Sequence, residues 1–473
     1  MSLRKRILQG PLLSLIVTSS GLAQTPALVL RGATLIDGTD GPPQANATVV
    51  LKNGWIVAVG NPADVTIPPG ARVIDLTGRY LLPGFIEMHG HVAIGAWVVD
   101  SSGGKRVFRY AYDEADTREL TKAQLAFGIT TVRNPATPTR EGVVLRNRVR
   151  LGEQVGPRII TSGAPIDGPS IITATDQVTT EAEIRSAVTR QAAAGVDFIK
   201  VYDQLDSAQI RIAVDEAHKH GLPVVGHLWR TSWMDASRAG IDGITHIIVS
   251  NANLLPEKSR AEFLEIKDRT RVMFDWFKYV DLGGSEIKGL LDTLVAHWIT
   301  IDPTLVYFEQ VVWGNDAGHY PEDAPRYVPP GFAAKTRKGA IPGWSAADYA
   351  NMRDRFRRMQ EFARRLYQGG VPLTVGTDTP NPWMYHREME LLAGAGIPNA
   401  DVIRMATHNA AVALRLTSEI GSIEVGKRAD LVVLDADPIA DITNTRRIAW
   451  VIHDGKPARP EAYLPARLTR RGR

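Results

Sequence analysis

No cysteine occurs anywhere in the 473 residues. That excludes a disulfide framework and any thiolate ligand, so a metal site in this chain must be built from nitrogen and oxygen. An excess of one charge sign is nearly absent too: 55 Lys and Arg face 51 Asp and Glu, a formal net charge of +4. Arg4, Lys5 and Arg6 account for three of those charges, and without them the chain carries 4 − 3 = +1. A near-neutral body gives no electrostatic reason for a nucleic-acid partner, and the basic tail at Arg467, Arg470, Arg471 and Arg473 reads as a solvated end. No glycine-rich phosphate loop follows the first strand of the central region, which disfavours an open doubly wound sheet.

What is present fits a large soluble protein: 44% hydrophobic and 22% charged residues suffice for one large domain and a smaller one. The first residues read as an address. "RKR" precedes the apolar run "PLLSLIV" and then "TSSGLA", the layout of a secretory signal peptide over residues 1–23 with cleavage after Ala23. The run is too short to span a bilayer comfortably, so no stable membrane span is expected after cleavage. The mature protein is expected in the periplasm or outside the cell.

From residue 24 to 83, short runs rich in Val, Ile and Leu alternate with turns, and Asn53-Gly54 between two apolar runs signals a hairpin. The same texture returns over 417–473, so both ends are expected to build one composite β-sandwich domain. Between them, 84–416 holds eight strand candidates: "GFIEMH", "GITTVRN", "PRIITSG", "DFIKVY", "PVVGH", "GITHI", "WITIDPTL" and "PLTVGTD". Amphipathic helical stretches separate several of them, one stopped by Gly221. This pattern predicts an α/β fold, a (β/α)8 TIM barrel whose chemistry sits at the C-terminal ends of the strands.

Polar residues at those ends are therefore the candidates. His89 and His91, two apart on a strand, point to the same side, and Gly90 permits close approach. His227, His246 and Asp378 each close another strand candidate. Five nitrogen or oxygen ligands at one face suit Zn, Mn, Fe or Ni. Lys200, inside "DFIKVY", is costly in a buried strand unless its charge is neutralised or paired, with Asp203 as one available partner.

The motifs "LLPGFIEMHGHV", "GITTVR", "FIKVY", "GITHI", "TVGTDTP" and "MATHNAAVALRLTSEIGSIEVGKRADLVVLDADP" together resemble the amidohydrolase superfamily. The closer resemblance is to its imidazolonepropionase-like and Xaa-Pro dipeptidase-like branch. It implies a metal-dependent hydrolase of amide or peptide-like C–N bonds that uses two divalent cations, with zinc the favoured ion. His89 and His91 would bind one cation, and His227 and His246 the other. Lys200, converted by carbon dioxide to a carbamate, would bridge them, and Asp378 would ligate the first cation and act as general base and then acid. Small amide or peptide substrates of the Xaa-Pro or N-acyl amino acid type follow, and a homo-oligomer is expected. A mononuclear deaminase usually carries H-x-x-E after strand five, whereas Arg230 stands in the glutamate's place here. Cyclic amides are opened by other members, and a non-catalytic metal or ligand binder has no use for Asp378 as a base. Asn134 departs from the aspartate of many relatives.

Tyr202, Arg133, Trp229, Arg230, Thr304 and His386 are the candidate substrate contacts. Two long insertions, following the first strand and separating the seventh from the eighth, are expected to be lids, pocket walls or oligomer contacts.

Overall fold

A computed structural model of the chain describes residues 26–93, 96–100, 107–170, 175–322, 324–330 and 339–469. The expected signal peptide and the basic tail from Arg470 onward lie outside the described residues.

Segments from both ends of the chain interleave in one eight-stranded sheet. Its order is Lys456–Ala458, Ile448–His453, Leu431–Leu434, Tyr80–Pro83, Leu28–Leu35, Gln44–Lys52, Trp55–Gly60, with Arg72–Asp75 pairing parallel to Leu28–Leu35. The C-terminal strand Leu431–Leu434 lies antiparallel to Tyr80–Pro83, so the two ends meet in the middle of the sheet. Asn53 and Gly54 take φ of 53° and 81°, the doubly left-handed turn the hairpin signal requires. Asp454 and Gly455 do the same at 50° and 74° in a second hairpin. The two tips touch: a Cβ on Gly455 would lie 2.9 Å from Gly54 Cα. Leu30, Val49, Leu51, Leu81, Val433 and Ile452 form the core beneath this sheet.

The central region is α/β with parallel strands. Phe85–Glu87, Ile129–Asn134 and Arg158–Thr161 pair in sequence order, and a bridge from Ser162 to Phe198 leads onward. Ile199–Val201, Val224–Gly226, Gly243–Thr245 and Thr300–Asp302 follow, each parallel to the last. The eighth candidate is joined by a parallel bridge from Ile301 to Leu373, and Met88 N donates to Val375 O at 2.9 Å. Seven of the eight candidates thus contain a hydrogen-bonded strand, while "PLTVGTD" is extended chain with a bridge at Leu373.

The helices between them follow from their caps. Ser207–Lys219 opens with a capping box from Asp206 and Gln209, buries Ile210, Ala213, Val214 and Ala217, and gives way to Gly221 at φ 72°. Glu181–Ala194 repeats the scheme with Thr180, Glu183 and Gly195. Within the first insertion Ala96–Asp100 pairs antiparallel with Val107–Ala111, and the helix Leu305–Val312 runs into the start of the second. Among the described residues, no helix is long and apolar enough to cross a membrane.

Candidate active site

Glycine is what lets the histidine pair form. A Cβ on Gly90 would lie 2.7 Å from both Glu87 Cγ and Val132 Cγ1, so no larger residue fits between His89 and His91 at this close approach. The two rings lie 5.1 Å apart between centroids. Asp378 reaches both, its Oδ1 being 2.7 Å from His91 Nε2 and 3.5 Å from His89 Nε2. These three residues each offer a ligand atom within 4.8 Å of the others.

His246 extends the cluster, its ring 4.6 Å from His89 and 4.6 Å from His227, with Nδ1 4.0 Å from Asp378 Oδ2. Asp378 and His246 have φ of 56° and 69°, left-handed turns at the ends of their segments. Such conformations in non-glycine residues cost about 1–3 kcal/mol and persist where surrounding contacts hold them. Tyr202 lies with its ring 4.5 Å from His227. Lys200 is 1% exposed and donates from Nζ to Thr245 Oγ1 at 2.6 Å. Burial pushes its amine down to about 7, so a large neutral fraction exists at physiological pH.

Burial also pushes His89, His227 and His246 down, His227 to about 4, which keeps them neutral, the form that donates a lone pair to a metal. Both ring nitrogens of His227 are buried without a hydrogen-bond partner, as is His91 Nδ1. Asp203 Oδ1 is 3.2 Å from His227 Nε2 but outside hydrogen-bonding alignment. A buried polar atom left unpaired costs about 1–3 kcal/mol. Neutral imidazole nitrogens beside a carboxylate fit divalent cations of the zinc type.

Outer contacts fix these groups, and several come from residues the sequence did not single out. Asp302 Oδ2 is 2.6 Å from His89 Nδ1, and Oδ1 accepts from Arg133. Glu87, its carboxyl pushed up to about 8 by burial, accepts from His89 N at 2.7 Å and Thr377 N at 3.0 Å, tying the first segment to the eighth. Tyr307 lies with its ring 6.4 Å from His246, its phenol pushed up by burial and by Asp378. Asp302 ends the observed strand Thr300–Asp302 but lies inside the candidate "WITIDPTL", so the strand-end rule passed it over; Tyr307, one helical turn beyond Thr304, carried no sequence signal.

Three expected substrate contacts belong elsewhere. Arg133 is 3% exposed and donates to Met88 O at 2.6 Å and to Asp302, so it holds the strand ends together. His386 is fully buried in the helix Trp383–Gly394, its nitrogens taken by Thr445 Oγ1 at 3.0 Å and Phe127 O at 3.1 Å. Thr304 turns its hydroxyl to His246 Nδ1 at 2.8 Å. Asn134 likewise accepts from Val92 and Ala93 N, at 3.0 and 3.2 Å, and fixes the chain just after His91. Trp229 and Arg230 do line an open groove of about 500 Å³, together with Phe263, Lys267 and Arg269. Arg269 stacks over Trp229 at 4.0 Å and pairs with Asp203 at 2.6 Å.

Comparison with known proteins places this arrangement. The chain is 40% identical over 429 residues to the imidazolonepropionase of Alkaliphilus oremlandii (strain OhILAs), covering 82% of this chain and 85% of that one. A shorter match, 43% over 75 residues, is to the N-acyl-D-aspartate deacylase of Alcaligenes xylosoxydans xylosoxydans, where the chain spans only 14% of the relative's length. Among solved structures, a prolidase-like protein from Bifidobacterium longum superposes with a TM-score of 0.67 at 25% identity, over 92% of this chain and 95% of that one. A Xaa-Pro dipeptidase with bound methionine gives a TM-score of 0.67 at 20% identity, over 91% and 99%, a likeness of fold. The amidohydrolase family model matches residues 80–458, a span that runs from the central sheet strand Tyr80–Pro83 through every strand end described above. The chain belongs to the amidohydrolase family, whose members are metal-dependent hydrolases.

Proposed function

We propose that this protein hydrolyses the amide bond of N-acyl amino acids or Xaa-Pro dipeptides with the help of two divalent cations, zinc being the favoured ion. The observation that carries the reading is His227, with two buried, unpaired ring nitrogens next to His246 and a buried Lys200. His89, His91 and Asp378 would hold one cation, and His227 and His246 the other. Lys200 would join them as a carbamate: the neutral amine adds to carbon dioxide, forming an N–C bond and releasing one proton. A pair of bound cations supplies an acidified water and a polarised carbonyl. Asp378 would accept the proton of the attacking water and return it to the departing nitrogen. Tyr202, its ring 4.5 Å from His227, would line the substrate side of the site.

The groove lined by Trp229 and Arg230, two and three residues after His227, supports a substrate with a free carboxylate and an apolar side chain. Arg230, Lys267 and Arg269 line it with Trp229 and Phe263, and no acidic side chain is among its lining residues. Cyclic amides are the second reading, favoured by the similarity to an imidazolonepropionase. The parallel strands are read as closing into a (β/α)8 barrel over 84–416, with a separate β-sandwich domain from 24–83 and 417–473. Export after cleavage at Ala23 and a homo-oligomeric assembly complete the proposal.

Elemental analysis of the purified protein, paired with a panel of dipeptides, N-acyl amino acids, their carboxamides and lactams, tests it. Two metal equivalents, turnover of the free acids above the carboxamides, and loss of turnover in Asp378→Asn with metal partly retained are expected. One equivalent with ammonia release would overturn the proposal in favour of deamination.

A further inference from the structure

We infer that the turn Asp302-Pro303-Thr304, clamped from another helix by Glu388, is a positioning device that sets the orientation and tautomer of His89 and His246 together. This rests on the reading that those histidines hold metal. Three observations carry it. A ring nitrogen engaged by a neighbouring side chain settles which nitrogen is left for a ligand, and one three-residue turn supplies that neighbour for both imidazoles: Asp302 Oδ2 at 2.6 Å from His89 Nδ1, and Thr304 Oγ1 at 2.8 Å from His246 Nδ1.

Thr304 is also in the wrong conformation for an ordinary residue of its kind. It has φ 53° and ψ 42°, which a β-branched side chain adopts only under constraint. It stands at the N-cap of the helix Leu305–Val312, where a threonine hydroxyl normally accepts from the second or third helical amide. Here it makes no such bond, because its oxygen faces His246.

Glu388 does the capping instead. It is fully buried on the helix Trp383–Gly394, and its two oxygens accept from Leu305 N at 2.9 Å and Val306 N at 2.6 Å. A carboxyl group from 82 residues away thus satisfies the helix start, and the threonine hydroxyl is released to serve the histidine. His89 has further support, since Arg133 grips Asp302 and Glu87 grips the His89 amide. The His246 amide is held too, donating to Asp302 O at 2.9 Å, but its ring is met by Thr304 Oγ1, which has no ion pair behind it, so the clamp acts mainly on the cation held by His227 and His246.

Metal affinities measured by chelator competition on the full-length protein test this. Thr304→Ala and Glu388→Gln are expected to weaken one of two cations by about 10–100-fold and the other by no more than about threefold. Thr304→Ser, which loses the same methyl but keeps the hydroxyl, is expected to stay within about threefold of wild type. Equal affinities in wild type and Thr304→Ala, or equal losses in the Ser and Ala variants, would overturn the inference, and the Thr304 pair decides it if Glu388→Gln does not fold. A wild-type protein that binds no second cation would instead overturn the two-metal reading beneath it.

Discussion

Asp302→Asn probes the buried framework behind the site in a way that separates two opposing effects. Asp302 and Arg133 are each 3% exposed, and the carboxylate also lies 2.6 Å from His89 Nδ1. Burial pushes the Asp302 carboxyl up to about 6 even with Arg133 beside it, so desolvation outweighs the attraction in setting its protonation. Removing one partner is different. A neutral amide in place of the carboxylate would leave a buried guanidinium that cannot shed its proton and has lost its contacting carboxylate, a loss of about 3–5 kcal/mol. The weakened bond to His89 adds about 1 kcal/mol. Against a total stability of about 5–15 kcal/mol for a folded domain, that is a large fraction. Arg133→Met is expected to cost less, because the stranded carboxyl escapes by taking up a proton. The double variant should cost clearly less than the sum of the two. Urea denaturation of the metal-free protein at pH 7, followed by circular dichroism, gives all three values. A loss below about 1 kcal/mol for Asp302→Asn, or additive losses in the double variant, would refute the reasoning.

Two further outcomes follow from other buried groups. Lys200→Met removes a buried amine whose Nζ donates to Thr245, and an apolar isostere removes the desolvation cost; melting of the metal-free variant is expected at or above the wild-type temperature while metal content and turnover fall. Burial pushes Glu388 up to about 8, above its unfolded value, so its folded form binds more protons and its contribution is fully present below about pH 4.3 and lost as pH rises toward 8. The stability advantage of wild type over Glu388→Gln, read by urea denaturation between pH 5 and pH 8, should therefore narrow with rising pH; a gap that widens contradicts it.

The sequence by itself determined what depends on neighbours along the chain. Asn53-Gly54 specified its hairpin, Gly221 stopped its helix, and the spacing of His89, Gly90 and His91 turned two imidazoles to one side, because these follow from local dihedral and period rules. The rule that polar residues at parallel strand ends share one face also brought His227, His246 and Asp378 next to that pair. Tertiary structure alone decided the partners. Arg133, polar and at a strand end like the histidines, is absorbed by Asp302 from 169 residues away, and His386 is consumed by Phe127 and Thr445. Glu388 reads in sequence as one more acidic residue of an amphipathic helix, yet its two hydrogen bonds are to amides more than 80 residues distant. A side chain's periodicity fixes which way it faces, but the group it meets there is chosen by packing between segments, and a buried charge takes whichever partner that packing delivers.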